Sequence, residues 1–542
     1  MALLLTLSSV CLLSAVYLVY KRLKPISIAN VPGPQWKSWL YGNLPELLKG
    51  EAGEMDFKWQ GQYGDIVRVR APLGEDRLLV SDPKALQYIY QASGYGFIKP
   101  PGRKELGRLI TGTGILYVEG DHHKRHRKVL LPGFGVSEAK FYVPVFFTYA
   151  RKMVSKWTEL ISATEEQSVV IDIPSWTSRA TLYVIGEAAF DYQFSALDDS
   201  AKPLTKAYTN MLFDIFAIAT DNSTLLFSLI ESWLPSWVVR FFVEKAPIKR
   251  LEHLRMSYDL THQVAKQLLN EKYEALAEDK PKRDIMSLLV KANVSENRKT
   301  QLNEEEILGQ MHTIMFAGHE TTANTLSWTF LELARHPKVQ YQLRAEIREK
   351  EKVIFTRGDT EFSVQDLDSM PYLTAVVKEV LRVNPIVHTI ARTAAHDDVL
   401  PLSKPVTLTT GKTVQEIAIP KGTFIIASVA SYNRNKSVWG EDAHVFDPAR
   451  WLCGSASKEV PVGVYGNLFS FAGGLRSCIG WRFAVLELHA FITEVVNNFE
   501  ISLTKESEQI RREACGAMVP TVEGEIEKGP QLPLRVAFAS RD

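Results

Sequence analysis

The chain has 542 residues, 46% hydrophobic and 23% charged, with a formal net charge of +1. That balance belongs to a packed globular protein. It excludes a disordered or collagen-like chain and gives no sign of a nucleic-acid partner. The four cysteines, Cys11, Cys453, Cys478 and Cys515, are too few and too irregularly spaced for a disulfide framework, which leaves thiols available for chemistry in a reducing compartment.

Residues 2–20 carry no charge, and as a helix they would extend about 28 Å, close to the hydrocarbon thickness of a bilayer. Lys21, Arg22 and Lys24 follow the apolar run instead of preceding it, and no small-residue cleavage pattern comes after. This predicts an uncleaved transmembrane signal anchor over residues 1–24, with the body held on the cytosolic side by the positive flank. The sequons at Asn222, Asn293 and Asn435 would then stay unmodified. Val31-Pro32-Gly33-Pro34 cannot continue a helix; a rigid elbow and an ordinary turn explain it equally well. Residues 25–45 are taken as a proline-rich hinge. Residues 46–542 contain no spacer of linker composition, so they are taken as one large domain.

Along the body, Ile66, Val67, Val69 and then Leu78, Leu79, Val80 alternate or cluster as in a small sheet. Helical spacing dominates from Pro83. The clearest helix starts at Asn303, a capping residue with Glu306 as its reciprocal partner, and runs to Arg335 before Pro337. At about 48 Å it would cross a large domain, and being apolar on several faces it must be buried. A second helix opens at Pro371 and stops at Asn384-Pro385. Strand-like runs recur near 406–419 and 423–428. The fold class expected is mainly α with minor sheets.

Residues 471–480 read Phe-Ala-Gly-Gly-Leu-Arg-Ser-Cys-Ile-Gly. Gly473-Gly474 permits a sharp turn, and Gly480 lets a helix, expected over 479–496, begin close to whatever lies above the sulfur. Cys478 at a helix start, with Arg476 two residues upstream and Phe471 as a shield from water, has the surroundings of a metal-binding thiolate. A buried structural cysteine is the ordinary fate of a free thiol. The spacing Phe-x-x-Gly-x-Arg-x-Cys-x-Gly decides against it, because chance would produce it on the order of once in 10⁴–10⁵ chains of this size.

The loop resembles that of the cytochrome P450 family, the haem-thiolate monooxygenases, and of its membrane-anchored, microsomal fungal type. The resemblance covers nearly the whole chain, because further motifs follow in the family's order. It implies a single cytochrome P450-type domain, haem b with Cys478 as the iron ligand, and O₂ as co-substrate. Ala317-Gly318-His319-Glu320-Thr321-Thr322 lies in the long helix. Its small residues leave room for a ligand, and it is similar to the family's oxygen-activation segment, which gives Glu320 and Thr321 the delivery of protons. His319 is assigned only a local hydrogen bond. Glu379 and Arg382, three residues apart on one helical face, resemble the family's Glu-x-x-Arg, with Arg450 as the downstream partner and a structural role bracing the cysteine loop. His123 and Arg127 match the family's propionate clamp, with His where Trp is commoner; Arg392 and Arg476 match its other propionate-facing positions. Lys124, Arg125 and Lys128 read as a solvated basic face or as contacts for the redox partner.

The function implied is insertion of one oxygen atom of O₂ into an apolar organic molecule: a terpenoid, polyketide, fatty acid or polycyclic aromatic of secondary metabolism. Electrons would come from NADPH through a separate cytochrome P450 reductase, since the chain shows no G-x-G-x-x-G loop or flavin domain. The expected location is the endoplasmic reticulum membrane. The alternatives are a haem-thiolate isomerase or dehydratase acting on a peroxide, against which Glu320-Thr321 argues, and a non-catalytic haem sensor. The pocket is expected from residues 96–118, the apolar stretch 211–227, the helix near 315–317 and the turn 386–389. Core packing accounts for part of the apolar stretch.

Overall fold

The computed structural model describes residues 26–193, 213, 225, 234–279, 283–296, 300–452 and 460–540. Helices dominate, as the sequence predicts. Those that place the site are α1 (Pro101–Thr111), α2 (Gly120–Leu130), α3 (Val143–Ser162), α4 (Ile173–Phe190), α5 (Ser236–Lys245), α6 (Glu304–Arg335), α7 (Pro371–Val383) and α8 (Trp481–Asn498). Strands β1 (Ile66–Arg70), β2 (Asp76–Val80), β3 (Phe97–Ile98), β5 (Thr389–Ala394) and β8 (Phe424–Ser428) form a sheet in the order β1-β2-β8-β5-β3. Only the β2–β8 pair is parallel. β4 (Ser168–Asp172), β12 (Pro533–Phe538) and β9 (Phe499–Leu503) make a second sheet. β6 (Asp398–Thr407) with β7 (Thr413–Ile419), and β10 (Ile510–Cys515) with β11 (Ala517–Val522), are hairpins.

The long helix starts and ends where the sequence predicts. Asn303 Oδ1 accepts from the Glu306 N–H at 2.9 Å, and Glu306 Oε2 accepts from the Asn303 N–H at 3.0 Å. The helix is buried over most of its length, Trp328 and Phe330 almost completely. Each such side chain removed from water contributes about 1.5–3 kcal/mol. α4 lies against it, tied by Thr177 Oγ1 to Ser327 Oγ at 3.2 Å and by the Thr181 hydroxyl donating to the His319 carbonyl at 3.0 Å. Gly318 serves this contact. A Cβ there would stand 2.7 Å from Ile185, so its smallness accommodates α4 and not a ligand, contrary to expectation. Nine residues earlier, about two and a half turns, a Cβ on Gly309 would meet the Gly114 nitrogen at 2.4 Å; this close crossing presses the segment between α1 and α2 onto α6.

The run at 406–419 is the turn and second strand of the β6–β7 hairpin. Sequence reading misses β9 to β12. In β11 every residue is buried and Pro520 sits mid-strand, so neither alternation nor β-propensity marks it. Asn293 and Asn435, two of the three sequons, are buried and bonded inside the fold. Asn222 and the expected anchor lie outside the described residues; among the described residues no helix is long and apolar enough to cross a membrane.

Glu379 and Arg382 of α7 have no exposure at all. Two parallel bonds of 2.8 Å join them, Nε to Oε2 and Nη2 to Oε1. The remaining Arg382 N–H groups donate to the carbonyls of Asn433, Ala443 and Val445. Glu379 also accepts from the Asp447 N–H and Trp451 Nε1. Arg450 approaches Glu379 only to 3.5 Å; its nearer partner is Asp442 at 2.8 Å, so it is an outer member of the network. Asn433 carries the brace onward: its Oδ1 accepts from the Phe469 N–H and its Nδ2 donates to Ser470 Oγ. Removing one partner of such a pair strands the other charge without water. Glu379→Ala should therefore cost about 3–5 kcal/mol in denaturant unfolding, far above an exposed pair; a loss below 1 kcal/mol would contradict this role.

Candidate active site

The cysteine loop owes its shape to a few backbone constraints. Gly474 takes φ +65°, and a Cβ on it would lie 2.0 Å from the Tyr90 carbonyl oxygen, so no other residue fits. The Cys478 N–H then donates back to the Phe471 carbonyl at 2.9 Å, and Ser477 N–H to Gly474 at 3.1 Å. Phe471 engages Cys478 through this carbonyl, while its ring meets the edge of Tyr465. α8 begins at Trp481 with Gly480 at its N-cap, two residues later than expected.

Cys478 is exposed, yet it lies deep in the interior. Its surface therefore faces a space inside the fold and not bulk solvent. Burial is the largest influence and pushes the thiol upward; the Gly480 N–H and the Arg127 charge act the other way. The expected stabilising charge from Arg476 is not what the sulfur sees, because Arg127 supplies it. The local field alone does not ionise the thiol; a metal cation bonded to sulfur does.

Cations gather beside this loop. Arg127 of α2 donates to the Ser477 carbonyl at 2.8 Å and to Ser477 Oγ at 3.2 Å. Arg476 pairs with Glu119 at 2.5 Å and lies 4.4 Å over the Tyr95 ring. The Tyr95 hydroxyl meets His123 Nδ1 at 2.8 Å, and burial pushes His123 down to about 3, so the imidazole is neutral. Arg392 of β5 lies 5.0 Å over Tyr90. Lys99, Tyr95 and Glu119 belong to the same group and were not identified from sequence, since only the folded chain brings them together. Lys99 donates to the carbonyls of Ile115 and Val118, and Glu119 accepts its backbone N–H at 2.8 Å. Burial, with Arg392 and Arg476 nearby, pushes the Lys99 amine down to about 7.

Four basic side chains thus face one carboxylate. The Nε groups of Arg392 and Arg476 are buried without a hydrogen-bond partner. Buried guanidinium N–H groups left unpaired cost free energy, and carboxylates are their best acceptors. A group carrying two carboxylates and a metal that takes up sulfur fits these residues.

On α6, Ala317 is exposed although its helix is buried, and Thr321, one turn on, is half-buried. The Thr321 hydroxyl donates to the Ala317 carbonyl at 2.8 Å. Glu320, rotated about 100° around the helix, is buried and lines a recess of mixed character with Thr177, Ser178, Asn324 and Ser327 beside Pro174, Phe213, Val519 and Pro530. Acid and hydroxyl therefore leave the helix in different directions. His319 Nδ1 meets the Met315 carbonyl at 2.8 Å, the local bond expected of it. Of the basic face on α2, Arg125 is turned inward to Glu306 and the Gln301 carbonyl, while Lys124 and Lys128 pair with Asp121 and Glu296. Of the expected pocket stretch 211–227, only Phe213 and Leu225 are described; Phe213 lines the recess at Glu320.

The family model for cytochrome P450 matches residues 31–527. The chain is 33% identical to cytochrome P450 monooxygenase 205 of Postia placenta, over 94% of this chain and 92% of that one. It is 32% identical to a ganoderic acid synthetase of Ganoderma lucidum, over 96% of both chains, and 30% identical to the monooxygenase claO of Ampulloclitocybe clavipes, over 93% and 92%. The donor set, the sulfur opening inward and these matches agree: the chain belongs to the cytochrome P450 family and is a haem-thiolate monooxygenase, an oxidoreductase that draws its electrons from a redox partner.

Proposed function

We propose that Cys478 is the thiolate that holds haem b, and that Arg127, Arg392 and Arg476, with His123 as a neutral hydrogen-bonding neighbour, receive its propionates. The observation that carries this reading is a deeply placed, inward-opening sulfur beside cations whose Nε groups lack partners. Bound there, haem supplies the activation of O₂ that no side chain provides. The chain's residues do the rest. Phe471 and Gly480 fix the sulfur through their backbone groups. Arg127 spans α2 and the loop through Ser477. Ala317 leaves the space open, Thr321 presents a hydroxyl to it, and Glu320, beside it in sequence and lining a recess with Asn324 and Ser327, supplies the proton that the hydroxyl passes on.

The proposed substrate is a lipophilic metabolite of the terpenoid, polyketide, fatty acid or polycyclic aromatic kind, and the proposed electron donor is NADPH–cytochrome P450 reductase. We place the protein in the endoplasmic reticulum membrane, anchored by residues 1–24. Exposed aromatics support a bilayer contact: Trp39 is 62% exposed, and Trp237 and Phe241, one turn apart on α5, are 72% and 66% exposed.

Two outcomes test this reading. Arg476→Ala, having lost a charge-assisted donor worth about 1.5–3 kcal/mol, should lose haem to apomyoglobin about 10- to 100-fold faster than the unaltered protein; equal rates would refute the propionate assignment. Thr321→Ala should keep its haem while product formed per NADPH falls by about 10-fold or more and hydrogen peroxide rises in compensation. Unchanged coupling would remove Thr321 from proton delivery, and turnover of a peroxide without reductase would favour the isomerase alternative.

A further inference from the structure

His388 immediately precedes β5, and the N–H of Ala430, in the helical turn that follows β8, donates to its carbonyl at 3.1 Å. It stands four residues before Arg392, so the two-residue alternation of a strand puts both on one face. That face is the one directed at the cation group beside the cysteine loop. The turn before it is fixed from the far side: the Met518 N–H donates to the Ile386 carbonyl at 2.7 Å, and Trp328 of α6 donates to the Met518 carbonyl at 3.1 Å.

The imidazole lies deep in the interior yet keeps part of its surface, as do Val387, Thr389 and Ile390 around it. Its Nδ1 is buried without a partner, and among the described residues none hydrogen-bonds to Nε2. Burial pushes His388 down to about 4, and no charged group counteracts it. The ring is therefore neutral near pH 7 and carries one proton. A buried N–H without an acceptor costs about 1–3 kcal/mol, which favours the tautomer with hydrogen on Nε2, where a bound molecule can accept it.

We infer that His388 selects substrates that already carry a neutral oxygen, a hydroxyl or a ketone, and donates a hydrogen bond to it from Nε2. This rests on the monooxygenase reading and narrows its substrate range. An earlier oxygenation or hydration must supply such a molecule, and this enzyme adds a further oxygen. Carboxylates are disfavoured, because among the described residues burial acts on His388 with no charge beside it, and the cations further along this face are those proposed for the propionates.

The test uses the full-length haem protein and three matched pairs: dodecane and dodecanol, cholestane and cholestanol, pyrene and hydroxypyrene, with dodecanoate as the charged probe. Affinity is read twice, from the shift of the haem absorption band and by calorimetry. In at least one pair the oxygenated member should bind about 10- to 100-fold tighter than its hydrocarbon, and dodecanoate should bind no better than dodecanol. His388→Leu should erase that preference while leaving the hydrocarbon's affinity within about threefold, and His388→Asn, a neutral donor, should restore part of it. His388→Phe repeats the test if the leucine variant does not fold. No preference in any pair, an undiminished preference in the apolar variants, or tightest binding of dodecanoate would overturn the inference. A calorimetric preference with no haem band would instead count against the monooxygenase reading and leave His388's role standing.

Discussion

The site depends on the waterless pair Glu379–Arg382, because that pair converts a fixed helix into a fixed loop. A guanidinium with five donors has no freedom left once two go to a carboxylate and the rest to three carbonyls. One of those carbonyls belongs to Asn433, whose side chain bonds Phe469 and Ser470 at the threshold of the cysteine loop. Ser470 Oγ in turn donates to the Leu381 carbonyl at 2.6 Å, returning to the residue beside Arg382. The circuit closes within a few residues of the sulfur. Such burial is poor value as stability alone, since apolar packing would serve as well; here it serves position.

Position matters because the surroundings of Cys478 are electrostatically divided. Burial opposes a thiolate, while one backbone N–H and one guanidinium favour it. The balance leaves a sulfur that ionises on binding a metal cation and not before. The neighbouring cations show the same incompleteness. Among the described residues nothing accepts the buried Nε–H groups of Arg392 and Arg476, and burial, with those two cations nearby, pushes the Lys99 amine down to about 7. A dianionic cofactor with a metal at its centre, held as proposed, would answer these groups together, so its binding should be coupled to the rigidity of the loop, α2 and the start of β5.

Much of this was legible in the sequence where a local rule sufficed. The capping box at Asn303 and Glu306 marked the start of α6, and Pro337 marked its end. The ten-residue loop around Cys478 identified the chemistry, since its glycines and arginine occur at a spacing that chance rarely gives. The failures arose where geometry depends on distant chain. Gly318 read as space for a ligand and proved to be space for Ile185 of α4. Arg476 read as the sulfur's neighbour and turned to Glu119, leaving that place to Arg127, 351 residues upstream of Cys478. Lys99 and His388 carry no motif; their significance lies in what surrounds them.

The most direct test of the account is the absorption spectrum of the purified, reduced protein under carbon monoxide, compared with that of Cys478→Ser. Thiolate ligation through Cys478 predicts the strongly red-shifted band of a haem-thiolate protein in the unaltered chain and its absence from the folded variant. A folded protein with bound haem that lacks this band, or a serine variant that retains it, would contradict the central assignment.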